Sequence, residues 1–176
     1  MKAKLLFPLA ALAMAGCQQA SAPQLTDAQL AAIDKVEIAD LLTRYYAHLG
    51  HGESEAFGDF FTDDAVFDVN GIVANGKDEI AAIYAGIPNN PDRGKFHMII
   101  SNPVIDVDGD SATASVLWTG VRNAELQGPP VLVEQGRELD RLVRRDGKWL
   151  IEKRVVIADS NLPESHLKTY DPDKGL

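Results

Sequence analysis

Four alternating strands between Phe96 and Ile157, folded back on two Asp-Gly pairs, constrain this chain more than any other feature. The stretch FHMIISNPVIDVDGDSATASVLWTG reads as two strands around Asp108-Gly109. GRELDRLVRRDGKWLIEKRVVI reads as two more around Asp146-Gly147. Asp-Gly between alternating apolar residues is the strongest short-range hairpin signal, because both central residues of a type I′ turn need positive φ. In the second hairpin Trp149 alternates with Ile151, Val155 and Ile157, which assigns all four to the core face. Such a meander, preceded by helices, curls over them and leaves a pocket at its open end.

The elements upstream are shorter. Thr26 and Gln29 form a capping box, in which each side chain satisfies an orphan amide of the first helical turn. The helix runs on through Leu30, Ile33, Ile38, Leu41, Leu42, Tyr45 and Leu49, with an apolar stripe from Ile38 onward, and stops at Gly50 and Gly52. A second short helix is expected at roughly 55–61, then a small hairpin about Asn70-Gly71. A third helix, KDEIAAIYAG, closes at Gly86. IPNNPDRGK reads as a loop, and residues 159–176 as a polar, partly ordered tail. Helices segregated to one side of an antiparallel sheet make an α+β domain.

The chain opens MKAKLLFPLAALAMAGC: two lysines, a short apolar run, then small residues before its only cysteine. This is the layout of a secretory signal, and the run is short for a membrane span. Ala15-Gly16-Cys17 resembles a bacterial lipobox, which implies lipidation of Cys17 and a mature N-terminus there; Gln18 after it implies outer-membrane sorting. The domains expected are a signal peptide at 1–16, a tether at 17–26, the folded domain at 27–158 and the tail. Loss of Lys2 and Lys4 takes the formal net charge from −9 to −11. Such a surface repels phosphate backbones and anionic lipid, so nucleic acid is an unsuitable partner and membrane contact falls to the lipid anchor alone.

The pieces LLTRYYAHLGHGESEAFGDFFTDDAVFDVNG, GKDEI, FHMIISNPVIDVDGDSATAS and GRELDRLVRRDGKW resemble the SnoaL-like branch of the nuclear transport factor 2 (NTF2-like) superfamily. The resemblance implies an α+β cone, with three N-terminal helices packed in a curved antiparallel sheet, and a small apolar ligand in its pocket. It also implies sheet-to-sheet homodimers. Within the superfamily the pattern is similar to scytalone-dehydratase-like enzymes, which implies cofactor-free elimination or isomerisation with His97 as general base. The carboxylate that orients that base falls at Gly50, the second histidine at Val116 and the pocket asparagine near Glu138. Glycine orients nothing, so Glu138 is expected to partner His97; the alternative is a salt bridge from Glu138 to Arg137 or Arg154. Tyr45 and Trp118 are expected to line the cavity, with His48 and Asp68 as further ligand-contact candidates. A rival reading is a non-catalytic binding or dimerisation module, since one fold hosts many functions.

Two other patterns lead nowhere. Asp106, Asp108 and Asp110 alternate as in a calcium loop, but Leu117 stands where a bidentate glutamate is required. His48, His51, His97 and His166 show no zinc spacing, and no cofactor motif is present.

Overall fold

The computed structural model describes residues 24–48, 54–85, 96–123 and 125–175. Helix α1 (Asp27–His48) starts at the expected box: Gln29 N–H donates to Thr26 Oγ1 at 3.3 Å, and Thr26 N–H to Gln29 Oε1 at 2.9 Å. A 3-10 helix follows at Ser54–Phe60, then strands β1 (Phe61–Val69) and β2 (Ile72–Asn75), and helix α2 (Gly76–Ala85). The meander is β3 (Phe96–Asp108), β4 (Ser111–Arg122), β5 (Val131–Arg145) and β6 (Lys148–Ala158), and a second 3-10 turn lies at Glu164–His166. The expectation of three helices is corrected to two α-helices among the described residues. Ser54–Phe60 is too short, and too interrupted by Gly58, to sustain an α ladder.

All six strands form one sheet in the order β2-β1-β6-β5-β4-β3. The small hairpin is therefore part of the main sheet, and β1 runs parallel to β6, the one parallel pair in the order. Asp146-Gly147 has positive φ at both central residues, as a type I′ turn requires. The first hairpin differs. Asp108 pairs with Ser111, so its central residues are Gly109-Asp110, with positive φ at Gly109 only; glycine takes the first position, as in a type II′ turn.

The inner face of the sheet carries the core: Ile38, Leu42, Tyr45 and Tyr46 of α1 pack against Phe61, Phe67, Val116, Trp118, Leu142, Trp149 and Ile151. Leu30 and Ile33, in the first half of α1, are exposed. Trp149 is buried as expected, and its indole N–H donates to Asp34 at 3.4 Å. Its alternation with Val155 and Ile157 does not persist. A bulge between Leu142↔Ile151 and Arg141↔Lys153 shifts the register, so Arg154, Val156 and Ala158 face inward and Val155 and Ile157 outward.

Val155 and Ile157 are nevertheless buried. The segment after β6 passes from the inner side, where it places Asn161, Pro163 and His166, to the outer face. There it is held by Arg137, the strand neighbour of Ile157, whose Nη2 donates to Pro172 O at 2.7 Å, and by Asp68, the strand neighbour of Val155, which pairs with Lys174. It is fixed at the Asn70-Gly71 turn as well, where Thr169 Oγ1 donates to Asn70 O at 2.9 Å. Residues 159–175 thus run as a strap along the sheet, none of them buried, held by side-chain and backbone anchors that their polar composition concealed.

Candidate functional site

A cavity of about 270 Å³ opens on the inner face. Its walls are mostly aromatic and aliphatic, supplied by Tyr45 and Tyr46 from α1, Phe67 from β1, Met98 from β3, Trp118 from β4 and Val156 from β6. Trp118 lies flat against β5 because Gly136 faces it; a Cβ there would sit 2.3 Å from the ring. Polar groups gather at two places. Glu138 stands at the floor, while Asn70, Glu134 and His166 stand nearer the strap.

The floor is a buried charge cluster. Inward-facing positions of β5 supply Glu138 and Asp140, and the bulge in β6 turns Arg154 toward them. Arg154 Nε donates to Asp140 Oδ1 at 2.8 Å and Nη2 to Oδ2 at 3.1 Å, while Nη2 also pairs with Glu138 Oε1 at 3.1 Å. Tyr46 donates its hydroxyl proton to Glu138 Oε2 at 2.5 Å. Arg154 also stacks over the Tyr45 ring, 3.9 Å from its centroid. The side chains of Glu138 and Arg154 are both 0% exposed.

Burial dominates the titration of this cluster. It pushes the Glu138 carboxyl up to about 8; Arg154 opposes that rise and Asp140 adds to it. Burial raises the Tyr45 and Tyr46 phenols, Tyr46 being raised further by Glu138. Burial works against the charge on Arg154, but Asp140 and Glu138 outweigh it and hold the guanidinium protonated. At the rim, burial raises Glu134 and the charge of Arg122 pulls it back.

Of the residues singled out by sequence, Tyr45, Trp118 and Glu138 line the cavity. His97 does not. It is exposed on the outer face of β3, paired with Val121, while its neighbours Phe96 and Met98 turn into the cavity. Alternation forces this outcome: the more apolar set Phe96, Met98 and Ile100 takes the core side. The expected His97–Glu138 pair is therefore corrected, and Arg154 holds Glu138 instead. Asp68 is buried on the outer face, accepting from Gly71 N–H at 2.8 Å and pairing with Lys174, so it does not face the cavity. His48 ends α1, but its side chain lies outside the described residues, as do Gly50, His51 and Cys17.

Among the cavity residues that the sequence alone does not mark are Tyr46 and His166. Tyr46 neighbours the apolar stripe and carries no signal that separates it from Tyr45. His166 lies in the strap, where no periodicity points inward; the turn-forming Pro163 before it is the only local cue.

The family profile described as SnoaL-like domain matches residues 31–155. No curated protein sequence matches the chain. Among solved structures, a protein from Novosphingobium aromaticivorans named as a candidate scytalone dehydratase superposes with a TM-score of 0.66 at 21% identity, over 86% of this chain and 99% of that one. An NTF2-like protein with a cystatin-like fold from the same organism gives 0.65 at 21% identity, over 80% and 93%. A protein of unknown function with a cystatin-like fold from Nostoc punctiforme gives 0.65 at 26% identity, over 75% and 96%. With a profile match over most of its length and an inner-face cavity in an NTF2-like sheet, the chain belongs to the SnoaL-like domain family.

Proposed function

We propose that this chain is a lipid-anchored, envelope-facing domain whose cavity binds a small, largely apolar molecule. The observation that carries the binding reading is the composition of the cavity: mostly aromatic and aliphatic walls with few polar groups, and Arg154, outside the lining with no exposed surface, paired with Asp140 and Glu138. The anchor rests on the Ala15-Gly16-Cys17 boundary after a short apolar run. Titration with the neutral fluorophore N-phenyl-1-naphthylamine tests the binding. Saturable 1:1 enhancement is expected, lost in Val156→Phe, which fills the cavity. Enhancement unaffected by Val156→Phe but lost in Leu117→Lys would place the dye on the outer surface and defeat the proposal.

A second reading, cofactor-free proton transfer leading to elimination or isomerisation, is favoured by one observation. Tyr46 lines the cavity and is hydrogen-bonded to a carboxyl that keeps its proton near neutral pH. In that reading Tyr46 donates a hydrogen bond to the carbonyl oxygen of the substrate, water takes and returns the α-proton, and Glu138, with no exposed surface, positions Tyr46. Exchange of the α-protons of a bound cyclic ketone into D2O tests it: wild type should exceed Tyr46→Phe, and equal rates would leave the module purely a binder.

The homodimer is also a proposal. Ile99 (53% exposed) and Leu117 (44%) lie with Val121 on the outer face around His97. They offer apolar area to a second copy.

A further inference from the structure

Within the cavity reading, on which this inference rests, the strap contributes more than a wall. Asn70 has its orientation imposed by backbone: its Oδ1 accepts from Ala158 N–H at 2.8 Å, so its amide NH2 must lie on the other side. That side faces His166, with Asn70 Nδ2 at 3.1 Å from the ring Nδ1. Since Nδ2 has only protons to offer, Nδ1 must accept, and the neutral imidazole carries its proton on Nε2. The main chain of His166 is held too: its N–H donates to Pro163 O at 2.9 Å, and its carbonyl accepts from Thr169 and Tyr170 N–H at 3.1 and 3.0 Å. A ring with one nitrogen engaged and its backbone pinned presents its other nitrogen in a fixed direction, on a residue that lines the cavity.

We propose that His166 is a specificity residue of this site, an Nε2–H donor that selects neutral ligands bearing an acceptor oxygen, such as a ring ketone, over their hydrocarbon analogues. Neutrality follows from the surroundings. Arg154 has no exposed surface and is paired with Asp140 and Glu138, and at the rim the charge of Arg122 is offset by Glu134, so among the described residues no cation is presented to an anionic ligand. The acceptor requirement follows from the tautomer, because an Nε2–H left facing an apolar ligand loses its water without replacement.

The matched pair 1-tetralone and tetralin tests this. The chain has two tryptophans, so nitrogen-15 spectra show two indole N–H resonances, and Trp118 reports occupancy of the cavity while Trp149 serves as control. Wild type should bind 1-tetralone about tenfold more tightly than tetralin, the scale of one hydrogen bond. His166→Phe should abolish the preference while keeping tetralin affinity within about threefold. Ring-nitrogen spectra should show His166 Nδ1 unprotonated and Nε2 protonated. Equal affinities in wild type, a preference that survives in His166→Phe, or the opposite tautomer would each overturn the proposal while leaving the cavity intact. Failure of both compounds to move the Trp118 resonance would instead remove the cavity reading, and this inference with it.

Discussion

Tyr46 and Glu138 lie 92 positions apart in the chain, yet the phenol of one donates a 2.5 Å hydrogen bond to the carboxyl of the other inside the core. That contact joins the first helix to the centre of the sheet, at a carboxyl that burial keeps protonated although the Tyr46 hydrogen bond by itself favours its charged form. Its energetic consequence is a pH dependence. The Glu138 carboxyl titrates at about 8 when folded against 4.5 as its ordinary value, so between those values the folded state holds a proton that the unfolded chain has released. Stability from this group is fully present below its unfolded pKa and is lost as pH rises through the folded one. Urea midpoints measured at about pH 5.5 and about pH 8.5 should fall with rising pH in wild type and flatten in Glu138→Gln. A dependence unchanged by that substitution would contradict the assignment.

The cluster also predicts an asymmetry. Arg154→Met leaves the buried Asp140 carboxylate without its cation and Glu138 without its guanidinium partner, and should cost about 3–5 kcal/mol. Chemical denaturation checks this; a loss within about 1 kcal/mol would show that the pairing is not maintained in solution.

Trp149 closes the other end of the core, under Arg144, whose guanidinium lies 4.6 Å from its ring centroid. Trp149→Ala should cost about 3–5 kcal/mol in reversible denaturation, the range for a buried large aromatic. A cost below about 1 kcal/mol would refute its place in the core.

The strap makes a separable prediction. A chain ended after Ser160 exposes Val155 and Ile157 and removes one side of the cavity; exposing either side chain costs about 1.5–3 kcal/mol, so the midpoint should fall clearly. Gly71→Ala attacks the same contact from below, since its Cβ would meet Thr169 O in a residue held at φ +85. A truncated chain as stable as the full one would show that the strap does not pack.

These residues also show why some of the structure was legible in sequence and some was not. The Asp146-Gly147 turn is local chemistry, readable from two residues and their flanks. Trp149 is legible for the same reason. Its partners Val155 and Ile157 are not, because the bulge after Ile151 inverts the strand and leaves no mark in a pattern of period two. At His97 the family position and the residue pattern disagree, and the pattern decides: Phe96, Met98 and Ile100 form the more apolar face and turn inward. Glu138 was identified as inward, but its partner depended on which way Arg154 turned, again a consequence of the bulge. His166 owes its place to long-range contacts with Asn70 and Thr169, which no local rule encodes.

Cys17 carries the localisation proposal. Wild type recovered from the membrane fraction should show the mass of a lipidated chain beginning at Cys17, and Cys17→Ser should stay unlipidated. An unacylated wild type beginning at Ala20 or Pro23 would contradict it.

The central claim is that a small apolar molecule occupies the inner-face cavity, and intermolecular nuclear Overhauser effects test it most directly. With N-phenyl-1-naphthylamine bound to methyl-labelled protein, the account predicts contacts to Val69, Ile83, Met98 and Val156, which line the cavity. Contacts confined to Ile99, Leu117 and Val131, exposed residues outside the cavity lining, would contradict it.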